Sequence, residues 1–278
     1  MEEEIFEEVP EDEPVTWCSP LVVQPKPRFD GTPKDELEPH MIRASVDLRV
    51  VNRHMDRSRI TQTPIVEDFM YKFHDCRVFS KLDMKQGYHQ LLLDPESRGV
   101  ATFSTPWGNM RPKRLIFGAK SSQDLFDEII ERIFGDIPYC LTQRDDILLG
   151  GKTLEEHNKT LQQVLQRAAD YNITFNDDKC QFAVEEIDFF GYLFTKDGLK
   201  PSEDKVKAVQ DCKRPESKGA VRSFLGMIGY LSKFIPRYSS LTAPLRELTK
   251  KDTKFVWRDK EEAAFKELKA SISRTRIQ

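Results

Sequence analysis

No apolar run in this chain of 278 residues comes near the ~20 residues that a membrane-spanning helix needs. The N-terminus, MEEEIFEEVPEDEP, has neither the basic start nor the apolar centre of a secretory signal. The five cysteines (18, 76, 140, 180 and 212) are odd in number, and no two are spaced as Cys-x-x-Cys. A disulfide framework and a zinc site are therefore not expected, whereas a reducing compartment is. There is no internal repeat. What remains is a globular composition, 38% hydrophobic and 10% aromatic. The length suits one large domain or a few small ones.

Base is missing where acid crowds. The first 14 residues carry eight acids and no Lys or Arg, whereas residues 201–278 hold 18 Lys and Arg against 10 Asp and Glu. The formal net charge of −3 hides this asymmetry. A basic C-terminal third can follow a polyphosphate backbone, and a solvated surface gives the same count.

Residues 24–40, rich in Pro and charge, read as a loop between two strands, SPLVV (19–23) and MIRASVDLRV (41–50). The second alternates, with Ile42, Ala44, Val46 and Leu48 on one face and Arg43, Ser45, Asp47 and Arg49 on the other. Residues 77–98 read as a strand ending near Asp83, then a turn or short helix through Gly87. SQDLFDEIIERIF (122–134) has its apolar residues on one face at helical spacing, with Ser121 or Ser122 as N-cap. Two short strands around a polar tip follow, then a helix over about 153–171. ITF (173–175) and IDFFGYLF (187–194) carry strand signals. From about 201 the pattern turns helical, with Val221, Phe224, Leu225, Ile228 and Leu231 on one stripe and a last helix over 259–272.

The polar tip is LTQRDDILLGG (141–151). Neighbouring strand residues face opposite ways, so Asp145 and Asp146 inside a buried strand would force a charge into the core. At a hairpin tip both reach solvent or a cation. Asp83, at a second strand end, has the same setting. Acids gathered from two strand ends repel one another, and a divalent cation relieves the repulsion; such oxygen-rich sites suit Mg²⁺. Two ions about 3.5–4 Å apart are the usual apparatus for phosphoryl transfer. Taken singly, an Asp-Asp pair in a turn and an Asp before a turn are also ordinary structural residues.

Six blocks stand in order: FSKLDMKQGYHQLLLDPESR, LIFGAKSSQDLF, DDILLGGKTLEEHNKTLQQVLQR, FNDDKCQF, IDFFGYLFTKDGLKPSEDKVKAV and VRSFLGMIGYLSKFIPRYSSLTAPLRELTKKD. Together they closely resemble the reverse transcriptase of gypsy-type LTR retrotransposons, a part of the Pol polyprotein, over about residues 14–272. The resemblance implies a right-hand polymerase of mixed α/β (α+β) class, with an antiparallel palm sheet backed by helices. Residues 1–14 would be an acidic piece of incomplete fingers, 15–200 fingers and palm, and 201–278 a mainly helical thumb and connection. It implies an RNA-directed DNA polymerase, a nucleotidyltransferase acting on an RNA or DNA template with primer and dNTPs.

By that resemblance Asp83, Asp145 and Asp146 are the catalytic aspartates. Asp83, Asp145 and the backbone carbonyl of Met84 would ligate two Mg²⁺ ions, with Mn²⁺ as substitute. Tyr88 matches the steric gate against a ribose 2′-hydroxyl, or is an ordinary core tyrosine. Arg43 matches the arginine that grips the triphosphate. Asp47 and Arg49 match the pattern beside it, or pair only with each other. Phe117 and Gly118 would line the nucleotide pocket. Lys179 is either the general acid for pyrophosphate or a surface lysine. Gln143, Arg144, Phe190, Gly191 and Tyr192 are the expected primer contacts.

The chain also departs from the pattern. Gln143 replaces the tyrosine of Tyr-x-Asp-Asp, and Arg144 sets a cation beside the acids. Ile116 replaces a proline, and Ser121-Ser122-Gln123 replace Asn-Ala-Pro. Both ends are expected to be incomplete, with a missing RNase H domain downstream and no template degradation by this polypeptide. The alternative reading is a retroelement remnant that binds nucleic acid without polymerising. No membrane partner is expected, nothing specifies an oligomeric state, and enzymes of this kind work in cytoplasmic particles with access to the nucleus.

Overall fold

The computed structural model describes residues 5–56 and 71–274; the first four residues of the acidic segment and 275–278 lie outside the described residues. The described strands are β1 (Phe6–Glu8), β2 (Ser19–Pro25), β3 (Ile42–Val46), β4 (Val78–Asp83), β5 (Phe103–Thr105) and β6 (Gly108–Pro112). They continue as β7 (Cys140–Gln143), β8 (Asp146–Gly151), β9 (Gln181–Val184), β10 (Glu186–Phe189), β11 (Tyr192–Thr195) and β12 (Gly198–Pro201). The described helices are two short ones, α1 (Val51–His54) and α2 (Pro95–Arg98), then α3 (Ser122–Phe134) and α4 (Leu154–Asp170). After them come α5 (Glu203–Gln210), α6 (Lys218–Tyr230), α7 (Tyr238–Leu248) and α8 (Asp259–Arg274). None is long and apolar enough to cross a membrane.

The chain divides into two compact units. Among the described residues the first takes 5–56, Leu82–Leu148 and Thr160–Cys180, and the second takes 71–81, Leu149–Lys159 and 181–274. A four-stranded sheet has the order β7-β8-β4-β9.

In the first unit, five strands form a sheet in the order β1-β6-β5-β2-β3. The hairpin read from the sequence is β2–β3, antiparallel, with Leu21 opposite Val46 and Pro25 opposite Ile42. The alternation holds only in part. Ala44, in the middle of β3, is exposed, and β3 ends at Val46. Leu48 lies beyond it and packs with Val51, Ala101 and Ile116. The acidic segment is an edge strand: Glu7 of β1 binds Arg111 and Arg98, and Glu13 also pairs with Arg111. Helix α3 covers the predicted span and buries Phe126, Ile130, Ile133 and Phe134. Ser121 precedes it but makes no side-chain cap, since its backbone (φ −91°, ψ −11°) is already helical and a capping hydroxyl needs an extended residue.

In the second unit, β10, β11 and β12 form an antiparallel meander, and an aromatic cluster of Phe73, Phe79, Phe189 and Phe194 fills the core. IDFFGYLF is therefore two strands. Phe190 (φ 52°) and Gly191 (φ 73°) turn the chain inside the apolar run, as a two-residue hairpin loop with both residues left-handed requires. A Cβ at Gly191 would lie 2.9 Å from Lys205 Cε. The strand signal at 173–175 reduces to a single bridge between Met84 and Phe175, and the strand itself is QFAV, β9. His157 and Ser80, both fully buried, bond at 2.8 Å, and Ser80 Oγ accepts from Ala183 N where β4 and β9 shift register. Beyond Pro201 the described chain is mainly helical. Ser217 caps α6 by accepting from Ala220 N, and α6 buries Val221, Phe224 and Ile228. Phe224 meets Phe265 of α8 at 4.7 Å.

Candidate active site

The arms of the β7–β8 hairpin are apolar and buried. Cys140, Ile147, Leu148 and Leu149 have no exposed surface, so the chain can place charge only at the turn. Arg144 makes the turn with φ 53°, and Asp145 and Asp146 follow. Asp83 closes β4. The two acidic strand ends are brought together by the backbone: Met84 N–H donates to the Asp145 carbonyl at 2.7 Å, and Asn176 N–H donates to the Asp83 carbonyl at 2.8 Å.

Electrostatics reports the same convergence. The Asp145 carboxyl is pushed above its ordinary value by burial, then by Asp146, Asp83 and Asp127, with Arg144 opposing. Lys179 Nζ stands 3.4 Å from Asp83 Oδ1, so an ammonium occupies one side of the acidic cluster. Its side chain is 63% exposed, which makes it a mobile partner rather than a buried one. Among the described residues, no three or more of His, Cys, Asp and Glu are arranged to hold a metal ion by themselves.

Gly87 lies against Asp145 and Phe126. A Cβ there would fall 2.6 Å from Asp145 Oδ1 and 3.0 Å from Phe126 Cζ. Gln86 (φ 51°) leads into this turn, and Gln90 braces it by donating to the carbonyls of Lys85 and Thr174. Tyr88 is buried against aromatic rings: Phe117 stacks on it at 4.5 Å and Phe126 tilts at 4.9 Å. Its hydroxyl donates to Gln123 Oε1 at 2.5 Å, and Gln123 Nε2 donates to Asp127 Oδ1 at 2.7 Å. Burial pushes the Tyr88 phenol to about 12, with Asp127 and Asp145 adding to the rise, so it stays a hydrogen-bond donor at neutral pH.

The other expected site residues divide. Phe117 and Gly118 (φ 94°) lie beside Tyr88, and Asn52 holds their loop by donating to the Gly118 carbonyl and accepting from Lys120 N. Gln143 is 8% exposed, and its Oε1 is buried without a donor among the described residues. Arg43 stands exposed in β3, opposite Gln24, and is not among the residues gathered round Asp145. Asp47 and Arg49 pair with each other at 2.7–3.1 Å, and the guanidinium's hydrogen bonds hold the Asp47 carboxyl down at about 2. Phe190, Gly191 and Tyr192 belong to the second unit. There the Tyr230 hydroxyl donates to the Phe190 carbonyl, and Tyr192 stacks on Tyr230 at 5.1 Å.

Sequence reasoning missed Gly87, Asn52, Asp127 and the part played by Gln123. Gly87 had a signal, a lone glycine four residues after Asp83 in a turn. Gln123 was visible only as a departure from the family pattern.

Residues 32–194 match the reverse transcriptase (RNA-dependent DNA polymerase) family. The chain is 33% identical over 265 residues to the retrovirus-related Pol polyprotein from transposon 297 of Drosophila melanogaster, covering 94% of this chain. It is 28% identical over 264 residues to the transposon Tf2-3 polyprotein of Schizosaccharomyces pombe, again over 94% of this chain. It spans only 24% and 19% of those two polyproteins. In fold it is similar to the foamy viral protease–reverse transcriptase dRH solved in complex with double-stranded DNA, with a TM-score of 0.81 at 19% identity. That likeness covers 98% of this chain and 45% of the viral one. The family match takes in Asp83, the Asp145-Asp146 tip, Tyr88 and the Phe117-Gly118 loop, and the chain belongs to the reverse transcriptase family.

Proposed function

We propose that this chain catalyses template-directed DNA synthesis, transferring a deoxynucleotide from its triphosphate to a primer 3′-hydroxyl on an RNA or DNA template. The observation that carries this reading is the meeting of Asp83 and Asp145 at adjacent strand ends, through the Met84–Asp145 backbone bond. In this reading, 15–200 are fingers and palm and 201–278 are thumb and connection.

The donor set fits Mg²⁺. It offers hard oxygens from two carboxylates and the Met84 carbonyl and leaves positions for a triphosphate, as magnesium sites usually do. The Lys179 ammonium, 3.4 Å from Asp83 Oδ1, supports a cation at this site. Bound as two ions, with Mn²⁺ as a substitute, the metal would lower the pKa of the 3′-hydroxyl and neutralise charge developing on the triphosphate. The protein's own residues orient and select. Asp83 and Asp145 hold their carboxylates at fixed strand ends, and Gly87 leaves room for the second. The Tyr88 ring, backed by Phe117 and Phe126, bars a ribose 2′-hydroxyl. Arg43 offers a guanidinium to phosphate oxygens. Lys179 would give a proton to pyrophosphate. Gln143 and Arg144 are the primer contacts of the tip, and the Phe190–Tyr192 turn lends backbone to the primer strand. The setting is a cytoplasmic particle with access to the nucleus.

A second reading, a binding remnant, draws on Gln143 and on Arg144, whose cation flanks Asp145. Primer extension and primer–template binding, measured together over a salt series, separate the two. The polymerase reading expects Mg²⁺-dependent extension. Binding that falls steeply with salt, without extension at any Mg²⁺ concentration, would establish the remnant instead.

A further inference from the structure

An aromatic gate discriminates by position, so whatever fixes the tilt of its ring fixes the discrimination. Two aromatic rings touch the Tyr88 ring, Phe117 stacked at 4.5 Å and 25° and Phe126 tilted at 4.9 Å and 54°. Ring contacts tolerate sliding and tilting; a hydrogen bond is directional. Such a bond runs from the Tyr88 hydroxyl to Gln123 Oε1. Gln123 is itself oriented. Asp127, four residues on along α3, is as a carboxylate an acceptor only, so the amide must turn Nε2 toward it. That leaves Oε1, the acceptor, for the phenol. The bond therefore ties the Asp83 turn to the first turn of α3 across 35 residues of sequence.

We propose that Gln123 is a positioning residue for sugar selection, holding the Tyr88 ring by its hydroxyl in the attitude that excludes a ribose 2′-hydroxyl. The inference rests on the polymerase reading and goes a step past it, to a residue that departs from the family pattern.

The test is single-nucleotide incorporation of dCTP and CTP by the wild type, Gln123→Met, Tyr88→Phe and the double variant, with kcat and KM separated for each sugar. Gln123→Met keeps length and bulk and removes both polar ends. The dCTP/CTP ratio of kcat/KM should fall about three- to tenfold, the size of one lost hydrogen bond. Tyr88→Phe should lower it similarly, and the double variant no further than either, since all three lack the same bond. A purely structural role would lower both sugars alike and leave the ratio in place. An unchanged ratio in Gln123→Met, or additive losses in the double variant, would overturn the inference and leave the polymerase reading standing. Should Gln123→Met fail to fold, Tyr88→Phe decides by the same ratio. A wild-type chain that incorporates neither sugar would overturn the polymerase reading and this inference with it.

Discussion

Two hairpins of this protein turn through a bulky residue with positive φ, and they are built for different work. At β7–β8 the residue is Arg144 (φ 53°), and the arms are buried on both faces. At β10–β11 it is Phe190 (φ 52°), and β10 alternates, with Ile187 and Phe189 buried and Glu186 and Asp188 exposed. Arms buried on both faces clamp the first tip, so its carboxylates stay where the backbone puts them. The second tip is held by the Tyr230 hydroxyl on the Phe190 carbonyl and by a ring stack. Substitutions should therefore cost activity at the first hairpin and stability at the second.

The largest expected effect that separates them is Gly87→Ala. The new methyl would displace the Asp145 carboxylate, and extension should fall about a hundredfold, as for a misplaced catalytic group, in single-turnover assays. Equal extension by Gly87→Ala and wild type would show that the Asp145 position is not fixed. At the second hairpin, Phe189→Ala removes a fully buried ring and should cost about 3–5 kcal/mol in denaturant unfolding. A loss of extension without a loss of stability there would break the comparison.

Smaller effects follow from charge. The folded Asp145 carboxyl lies above its ordinary 3.8, so its favourable share of stability is complete below that value and is lost as pH rises through the folded pKa. Asp145→Asn should accordingly raise the thermal midpoint at neutral pH in the absence of divalent metal, with the gain vanishing in acid. Glu7 runs the other way. Burial alone would raise its carboxyl, but hydrogen bonds from Arg111 and Arg98 prevail and lower it below 4.5. Its stabilisation is present above that value and is lost as pH falls through the folded pKa. Glu7→Gln should cost roughly 1 kcal/mol at neutral pH, measured by urea unfolding, and nothing in acid. The smallest change is Arg144→Gly, which relieves a left-handed arginine and should stabilise the chain by up to about 1 kcal/mol.

Much of this was legible in the sequence, and the reasons are local. Two adjacent acids cannot share a buried strand, so Asp145-Asp146 announced a tip. Apolar residues at 125, 126, 129, 130, 133 and 134 announced α3, although Leu125 remains 42% exposed. What was hidden has causes elsewhere in the chain. β9 is mostly exposed and carries no apolar alternation; it pairs with β4 across a register shift and is tied to it by the Ala183–Ser80 bond. The turn at Phe190-Gly191 lay inside an unbroken apolar run. Gln143 could be read as a replaced tyrosine, but not as a buried amide with an unpartnered oxygen. The Tyr88–Gln123–Asp127 chain joins residues that no local pattern pairs.

The most direct test of the central claim, that Asp83 and Asp145 act as one site, is primer extension on an RNA template by the wild type, Asp83→Asn, Asp145→Asn and the double variant, with Mg²⁺ and dNTPs. Each single loss should be at least on the order of a hundredfold, and the double should be scarcely worse than either, because a shared site is disabled by its first missing ligand. Extension that survives either substitution, or losses that multiply in the double variant, would contradict the account.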